Sequence, residues 1–168
     1  MATVIRDLTP ADAAAYRRLR LEMLEQFPAA YGADLAEAQS QQVQDYAERI
    51  AKAAPGAIVG AFDGRPLIAT AGLLIHRPAK QRHIGVLWGM YVQPAFQRTG
   101  IGRALVEAVI ARARLKVRVL QLGVAVGNAP ARVLYHRLGF RGWGVEPRAT
   151  CLDGVFHDQE HMSLDLDA

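Results

Sequence analysis

Residues 90–114, MYVQPAFQRTGIGRALVEAVIARAR, contain the change from strand to helix that decides the fold. An apolar, strand-like run ends at Pro94, and the short polar turn that follows has two glycines, Gly100 and Gly102. The apolar residues after the turn recur at the spacing of a helix with one buried face; they are Ile101, Ala104, Leu105, Ala108 and Val109. The pattern therefore predicts a strand, a glycine turn and an amphipathic helix in direct succession.

This turn has the features of an anion-binding site. The first N–H groups of a helix and the helix dipole favour a negative charge, and glycine lets a ligand approach the backbone closely. Arg98 and Arg103 flank the turn and can pair with phosphate oxygens. We expect the turn to bind a phosphate or pyrophosphate; the alternative is an ordinary strand–helix turn that contains two glycines.

Two common phosphate-binding motifs do not fit the turn. A Walker A loop ends in Gly-Lys-Ser or Gly-Lys-Thr, which this segment lacks. A dinucleotide-binding fingerprint needs a third glycine at the position that Leu105 occupies.

Alternating strand and helix patterns fill the rest of the chain. The predicted elements, in chain order around the helix already described, are a strand at 2–9, a helix from Thr9 toward Glu25, an irregular joint at 27–38, a helix from Gln41 to Ala54, a hairpin at 57–76, strands at 83–92 and 117–126, a short helix at 129–140, and strands at 141–145 and 154–166. This order predicts a single α/β domain over residues 1–168, with a mixed central β-sheet and helices on both faces.

The composition fits one globular domain. The chain has 168 residues, of which 51% are hydrophobic and 21% charged, and its net charge of +4 suits an anionic ligand without indicating nucleic acid. Its one cysteine, Cys151, excludes an internal disulfide, is expected to be buried, and fits a reducing compartment. With no signal peptide and no window near the roughly 18 apolar residues of a membrane span, we expect a cytoplasmic protein.

The sequence around the turn resembles the GNAT superfamily of acyl-CoA-dependent N-acetyltransferases. QRTGIG, residues 97–102, matches that family's Arg/Gln-x-x-Gly-x-Gly/Ala motif at each fixed position. VAVGNAPARVLYHRLGF, residues 124–140, resembles its second motif, with an asparagine after the fifth strand and a tyrosine before Gly-Phe. The resemblance implies a GNAT-type domain whose central strands splay apart and which uses acetyl-CoA as co-substrate.

The resemblance also implies which residues bind acetyl-CoA. The pantetheine arm is expected to pair with the backbone of the fourth strand, the turn amides to bind the pyrophosphate, and Asn128 either to cap its helix or to bond to the pantetheine amides. The implied set is Met90, Tyr91, Val92, Gln97, Arg98, Thr99, Gly100, Ile101, Gly102, Arg103, Asn128, Ala131 and Tyr135.

Tyr135 is also the implied catalytic residue. It matches the tyrosine that, in many members of the family, protonates the leaving thiolate. The alternative is a structural tyrosine that anchors its helix to the sheet.

The general base is not identified by the sequence. Many family members have a glutamate on the fourth strand, but residues 83–92 contain no Asp or Glu, and His83 lies at the far end. The remaining candidates are Glu22, Glu25, Asp34, Glu37, Glu146, His157 and Glu160, with a water chain as the alternative. His157 and His161 are expected on a strand, where their spacing does not suit a metal, so no metal is expected.

The acceptor is implied to be a primary amine of a small molecule or peptide, with no nucleic acid or membrane as partner. We expect loops at Pro28–Glu37 and Trp143–Arg148 to shape its pocket, with Phe27, Tyr31 and Trp143 as aromatic walls or as core residues. A different acyl donor, a protein N-terminus as acceptor, and a non-catalytic acyl-CoA-binding sensor are the alternatives. Because many family members are dimers, a homodimer stays open.

Overall fold

A computed structural model describes residues 3–167 of the chain. Ala2, which the sequence places in the first strand, lies outside the described residues. The strands are β1 (Thr3–Asp7), β2 (Ala57–Asp63), β3 (Leu67–Ile75), β4 (Ile84–Val92), β5 (Val119–Ala125), β6 (Arg141–Leu152) and β7 (Val155–Asp165). The α-helices are α1 (Ala13–Gln26), α2 (Leu35–Ser40), α3 (Val43–Ala51), α4 (Ile101–Arg114) and α5 (Ala129–Arg137), and short 3-10 helices occupy Pro10–Asp12, Pro28–Ala30 and Pro94–Phe96.

The seven strands form one mixed sheet in the order β1-β2-β3-β4-β5-β7-β6. Its only parallel pair is β4 with β5, and α4 connects these two strands as the sequence predicts. The predicted α/β class with a mixed central sheet is therefore confirmed.

The parallel pair separates after a few residues. β4 and β5 are paired only over Ile84–Val86 and Val119–Gln121, so no strand among residues 3–167 lies beside this edge of β4 from residue 87 to 92. The register between β3 and β4 shifts in the same region, where Gly89 has a φ of 58°. This conformation favours glycine, and the shift forms a bulge at the point where the two strands diverge. The splayed central strands that the resemblance implied are thus present.

Helices cover both faces of the sheet, and each face has its own buried cluster. On one face α4 and α5 pack against the strands through Leu105, Val106, Val109, Ala113 and Tyr135. On the other face α1 and α3 pack through Tyr16, Leu19, Met23, Tyr46 and Ile50. The gap between β4 and β5 is therefore bordered by helices of two different layers.

Four sequence predictions differ from the structure. The joint expected to be irregular contains the short helix α2, which begins where Asp34 accepts a hydrogen bond from the Glu37 N–H at 2.9 Å. The second predicted helix is shorter at both ends and spans Val43–Ala51. The expected loop at Trp143–Arg148 lies within strand β6. Cys151 on the same strand is exposed rather than buried, because β6 is the last strand at one edge of the sheet.

Candidate active site

The gap between β4 and β5 opens into a cleft of about 1330 Å³. It is bordered by β4, β5, the first turns of α4 and α5, the segment around the 3-10 helix Pro28–Ala30, and the start of β7. The expected co-substrate residues that line it are Met90, Tyr91, Val92, Gln97, Arg98, Gly100, Gly102, Arg103, Asn128, Ala131 and Tyr135. Thr99 and Ile101 do not: the Thr99 hydroxyl donates to the Phe96 carbonyl at 2.6 Å, and Ile101 packs against the core.

The turn before α4 presents a row of free backbone donors. The first N–H group of α4 that bonds within the helix is that of Ala104, which donates to the Gly100 carbonyl at 3.0 Å. Within residues 3–167, no oxygen accepts a hydrogen bond from the N–H groups of residues 98–103. These donors, together with the helix dipole, make the turn suitable for an anion.

Positions 100 and 102 of the turn require glycine for different structural reasons. Gly100 has a φ of 89°, and a Cβ atom there would contact nothing within 4 Å, so glycine is required by the backbone conformation. At Gly102 a Cβ atom would lie 3.2 Å from Met90 Cε and 3.8 Å from Leu134 Cδ2. The glycine at 102 therefore keeps open the space between α4, β4 and α5, inside the cleft.

Two backbone carbonyls of β4 face the gap and already accept side-chain hydrogen bonds. The Tyr31 hydroxyl donates to the Met90 carbonyl at 2.7 Å, and Gln97 Nε2 donates to the Val92 carbonyl at 3.0 Å. Because alternate residues of a strand direct their backbone groups to the same edge, Tyr91 turns its backbone toward β3, where it pairs with Thr70. Of the three expected β4 residues, Met90 and Val92 therefore present backbone groups to the gap.

Asn128 caps α5, as one of its two expected roles requires. Its side-chain oxygen accepts a hydrogen bond from the Ala131 N–H at 3.3 Å. Both residues also line the cleft, so the cap lies beside the space where an extended ligand can enter.

Tyr135 lies at the base of the cleft. Its ring is 6% exposed and packs edge-on against Phe140, with 5.8 Å between ring centroids. Burial and the neighbouring Tyr31 raise the pKa of Tyr135 well above that of a free tyrosine. Its hydroxyl makes no hydrogen bond to any described residue, so it is a protonated donor that remains available.

Most of the candidate bases lie away from the cleft or are already paired. Glu22 accepts hydrogen bonds from Tyr91 and Gln93, Glu160 from Arg132 at 2.6 Å, and Glu146 from His161 at 2.9 Å. The remaining candidates outside the cleft lining are Glu25, Asp34, Glu37 and His83.

His157 is the one named base candidate in the cleft lining, next to Asp158. Sequence reasoning did not select Asp158, although it follows His157 directly in the segment HDQEH. The Asp158 carboxylate accepts a hydrogen bond from the Arg148 N–H at 2.8 Å, which fixes it at this end of the cleft.

The aromatic walls are partly as expected. Phe27 and Tyr31 line the cleft, whereas Trp143 does not; it is 61% exposed and stacks on His161 with 5.2 Å between ring centroids. Trp143 projects from the edge strand β6, which explains its distance from the gap.

No cluster of three or more potential metal ligands occurs among residues 3–167. Within the same range, none of the helices combines the length and the apolar character that crossing a membrane requires.

Comparisons with known proteins agree with this architecture. The model of the acetyltransferase (GNAT) family matches residues 16–140. An aminoglycoside N(6')-acetyltransferase type 1 from Stenotrophomonas maltophilia is 36% identical over 145 residues, which cover 83% of this chain and 86% of that protein.

Solved structures extend the likeness to the whole fold. A ribosomal-protein-alanine N-acetyltransferase from Brucella melitensis has a TM-score of 0.80 at 26% identity, over 96% of this chain and 99% of that one. A phosphinothricin acetyltransferase from Sinorhizobium meliloti, in complex with acetyl-CoA, has a TM-score of 0.83 at 22% identity, over 98% and 89% of the two chains. The second likeness, at that identity, shows the fold alone.

Proposed function

The chain belongs to the GNAT family of acetyltransferases, and from that premise we propose that its cleft transfers an acetyl group from acetyl-CoA to the primary amine of a small molecule. One observation carries the proposal: a single cleft contains both a row of free backbone donors and a buried tyrosine hydroxyl without a partner. The donors suit a diphosphate, and the hydroxyl suits a leaving group that gains negative charge. A pocket that only binds a ligand does not need the second feature.

The residues present fit acetyl-CoA, which supplies the acetyl thioester when bound. The N–H groups of residues 98–103 suit the pyrophosphate, with Arg98 and Arg103 beside them. The gap-facing backbone of Met90 and Val92 suits an extended pantetheine arm, because an exposed strand edge pairs with extended chains.

The reaction sets two demands on this chain. A bond forms between the amine nitrogen and the carbonyl carbon while the carbon–sulfur bond breaks, so the amine nitrogen must lose a proton, and the sulfur leaves as a thiolate that needs a donor to stabilise it and then takes its proton from water. Tyr135 donates to the sulfur; full transfer to a free thiolate is uphill by roughly 2 kcal/mol on reference pKa values, and more with the raised pKa here. The hydroxyl therefore acts mainly by a hydrogen bond that strengthens as charge develops.

His157 is the proposed route for the amine proton. It is the only histidine or carboxylate other than Asp158 that lines the cleft within the described residues. An imidazole nitrogen can accept the proton directly or through water.

A small acceptor is favoured by the segment that crosses the gap. The 3-10 helix Pro28–Ala30 contacts both β5 and β6, so the chain passes over the divergent strands. Phe27 and Tyr31 continue this cover along the cleft. A covered, aromatic-walled pocket suits a compact molecule better than an extended peptide.

Thiol release from acetyl-CoA with a panel of amines tests this function. The panel contains aminoglycosides, amino acids, polyamines and short peptides with free N-termini, each compared with a reaction that lacks acceptor. We expect a small amine to have the highest kcat/KM. A peptide with a higher kcat/KM than every small amine would favour the protein N-terminal alternative, and acetyl-CoA binding without thiol release would favour the sensor.

A further inference from the structure

Arg20 is the only buried charged residue in the described part of the chain. Its side chain lies on α1, the residue is 8% exposed, and its Nε atom is sealed from solvent without a hydrogen-bond partner. None of the ion pairs or side-chain hydrogen bonds within residues 3–167 includes the guanidinium of Arg20. A buried cation without a counter-charge is unfavourable, so such a group needs an explanation.

The neighbours of Arg20 are uncharged and aromatic. Its guanidinium lies 5.8 Å from the centre of the Trp88 ring. Its positive charge also acts on Tyr16 and Tyr31, where it opposes the increase in pKa that burial causes. These contacts contribute cation–π and dipole interactions, but they do not neutralise the charge.

The guanidinium lies directly behind the wall of the cleft, at the bulge of β4. Arg20 Nη1 is 3.2 Å from the point where a Cβ atom of Gly89 would be. Gly89, Trp88 and Tyr31 all line the cleft. Because Gly89 has no side chain, nothing on that residue stands between the cleft and the guanidinium.

The position is on the α1 side of the sheet. Arg20 and Trp88 belong to the α1 face, whereas the turn and Tyr135 belong to the α4 and α5 face. The bulge at Gly89 lies in the gap where the two faces meet. A charge here therefore lies directly behind a part of the cleft that the pyrophosphate turn does not reach, although Arg20 itself is not among the described residues that line the cleft.

We propose that Arg20 is the subsite for a carboxylate of the acceptor, so that the preferred substrates are amines that also carry a carboxylate, the class of amino acids. This inference rests on the proposed function and names its acceptor class. A guanidinium offers paired N–H donors that match the two oxygens of a carboxylate. One isolated cation balances one negative charge, which fits a carboxylate better than a doubly charged phosphate.

Matched acid and amide substrates test the proposal. We would compare α-amino and ω-amino acids of increasing length with their carboxamides, in thiol release and in the Tm of the protein with CoA. In the wild type we expect each accepted acid to have a higher kcat/KM and a larger Tm increase than its amide. Arg20→Met should lower kcat/KM for the acid by about 10- to 100-fold, the size of one charged hydrogen bond, and leave the amide nearly unchanged.

Two variants control for folding. Arg20→Lys keeps the charge and should restore part of the preference for the acid. Arg18→Met changes the same residue type on the exposed side of α1 and should leave every value as in the wild type. Methionine at position 20 should fold, because replacing a buried charge by an apolar group is often neutral or stabilising.

The two readouts separate this inference from the proposed function. An acid-specific Tm increase that Arg20→Met abolishes supports the subsite even if no amine releases thiol. Thiol release that is equal for acids and amides overturns the subsite and leaves the acetyltransferase function intact. The subsite is also overturned if neither readout prefers any acid, or if Arg20→Met lowers Tm while the preference remains, since Arg20 would then be structural.

Discussion

The two faces of the sheet assemble their functional groups in different ways. On the α4 and α5 face, the expected groups come from two short runs, residues 97–103 and 128–135. On the α1 face, Arg20, Tyr31 and Gly89 are distant in sequence and meet only in the folded chain. Local sequence therefore determines the first set, whereas tertiary packing determines the second.

The charged residues of the two faces also differ in their exposure to solvent. Arg98 and Arg103 border the turn and are exposed, as suits a diphosphate that stays partly in water. Arg20 is buried, its Nε atom is closed off from solvent, and its side chain has no hydrogen-bond partner among residues 3–167, as suits a single charged group that leaves water when it binds. The comparison indicates a general site for the co-substrate and a selective one for the acceptor.

The largest effect should come from Tyr135, which lies in the cleft on the α4 and α5 face. Tyr135→Phe removes one hydroxyl and keeps the ring packed against Phe140. If the hydroxyl donates to the leaving sulfur, kcat and kcat/KM should both fall by roughly 10²–10⁴-fold, with little change in CoA affinity. Steady-state kinetics and calorimetry on the same preparation measure both quantities.

The pH profile sharpens the assignment of Tyr135. Because burial raises its pKa, the hydroxyl keeps its proton below about pH 10, the usual tyrosine value. We expect kcat/KM to rise with pH as the acceptor amine loses its proton, without a fall from Tyr135 in that range. Unchanged turnover in Tyr135→Phe at every pH, combined with a lower Tm, would show a structural tyrosine.

The sequence predicts the shape of the turn and the cap of α5 well because their signals are local. The turn at residues 97–102 encodes its own geometry: Gly100 adopts a conformation that glycine favours, and α4 begins at the next residue. The capping role of Asn128 was likewise expected from the residue type and its place before a helix. Such features need no knowledge of distant contacts.

The sequence predicts the α1 side and the edge strand β6 less well because their signals depend on packing. Arg20 lies on the buried stripe of α1, one turn after Tyr16 and one turn before Leu24. A charged residue at an apolar position of the helix pattern is a signal that the sequence alone contains. Helix α2 has a single buried residue, Ala38, so it lacks an apolar stripe. The segment 143–148 contains Gly144 and Pro147, which suggest a loop, although pairing with β7 makes it a strand.

A smaller effect, on CoA affinity, should distinguish substitutions at Gly102 from substitutions at Gly100. Gly102→Val would place side-chain atoms against Met90 and Leu134, inside the cleft. Overpacking of this kind costs about 1–3 kcal/mol, so we expect CoA affinity to fall by about 10- to 100-fold by calorimetry.

Gly100→Ala is the matched control, since a Cβ atom there contacts nothing but the backbone is left-handed. It should lower the free energy of unfolding by about 1–2 kcal/mol and reduce CoA affinity less than Gly102→Val. Equal affinity losses in the two variants would mean that the turn acts only through its backbone shape.

The smallest effect should distinguish the two arginines of the turn. Arg103 is paired with Glu107 at 2.8 Å and its side chain is 68% exposed, whereas Arg98 has no partner in the described residues. Exposed charge pairs contribute at most about 1 kcal/mol, so we expect Arg98→Ala to weaken CoA binding by about 3- to 5-fold and Arg103→Ala by no more than about 3-fold. Calorimetry with CoA and dephospho-CoA measures both variants.

If Arg98 contacts the pyrophosphate, both ligands should lose affinity equally, and the loss should shrink at high salt because the site is solvated. A loss confined to CoA would assign that arginine to the 3′-phosphate. A loss that salt does not reduce would mean that this side of the cleft excludes water as strictly as the surroundings of Arg20, and the contrast between the two faces would fail.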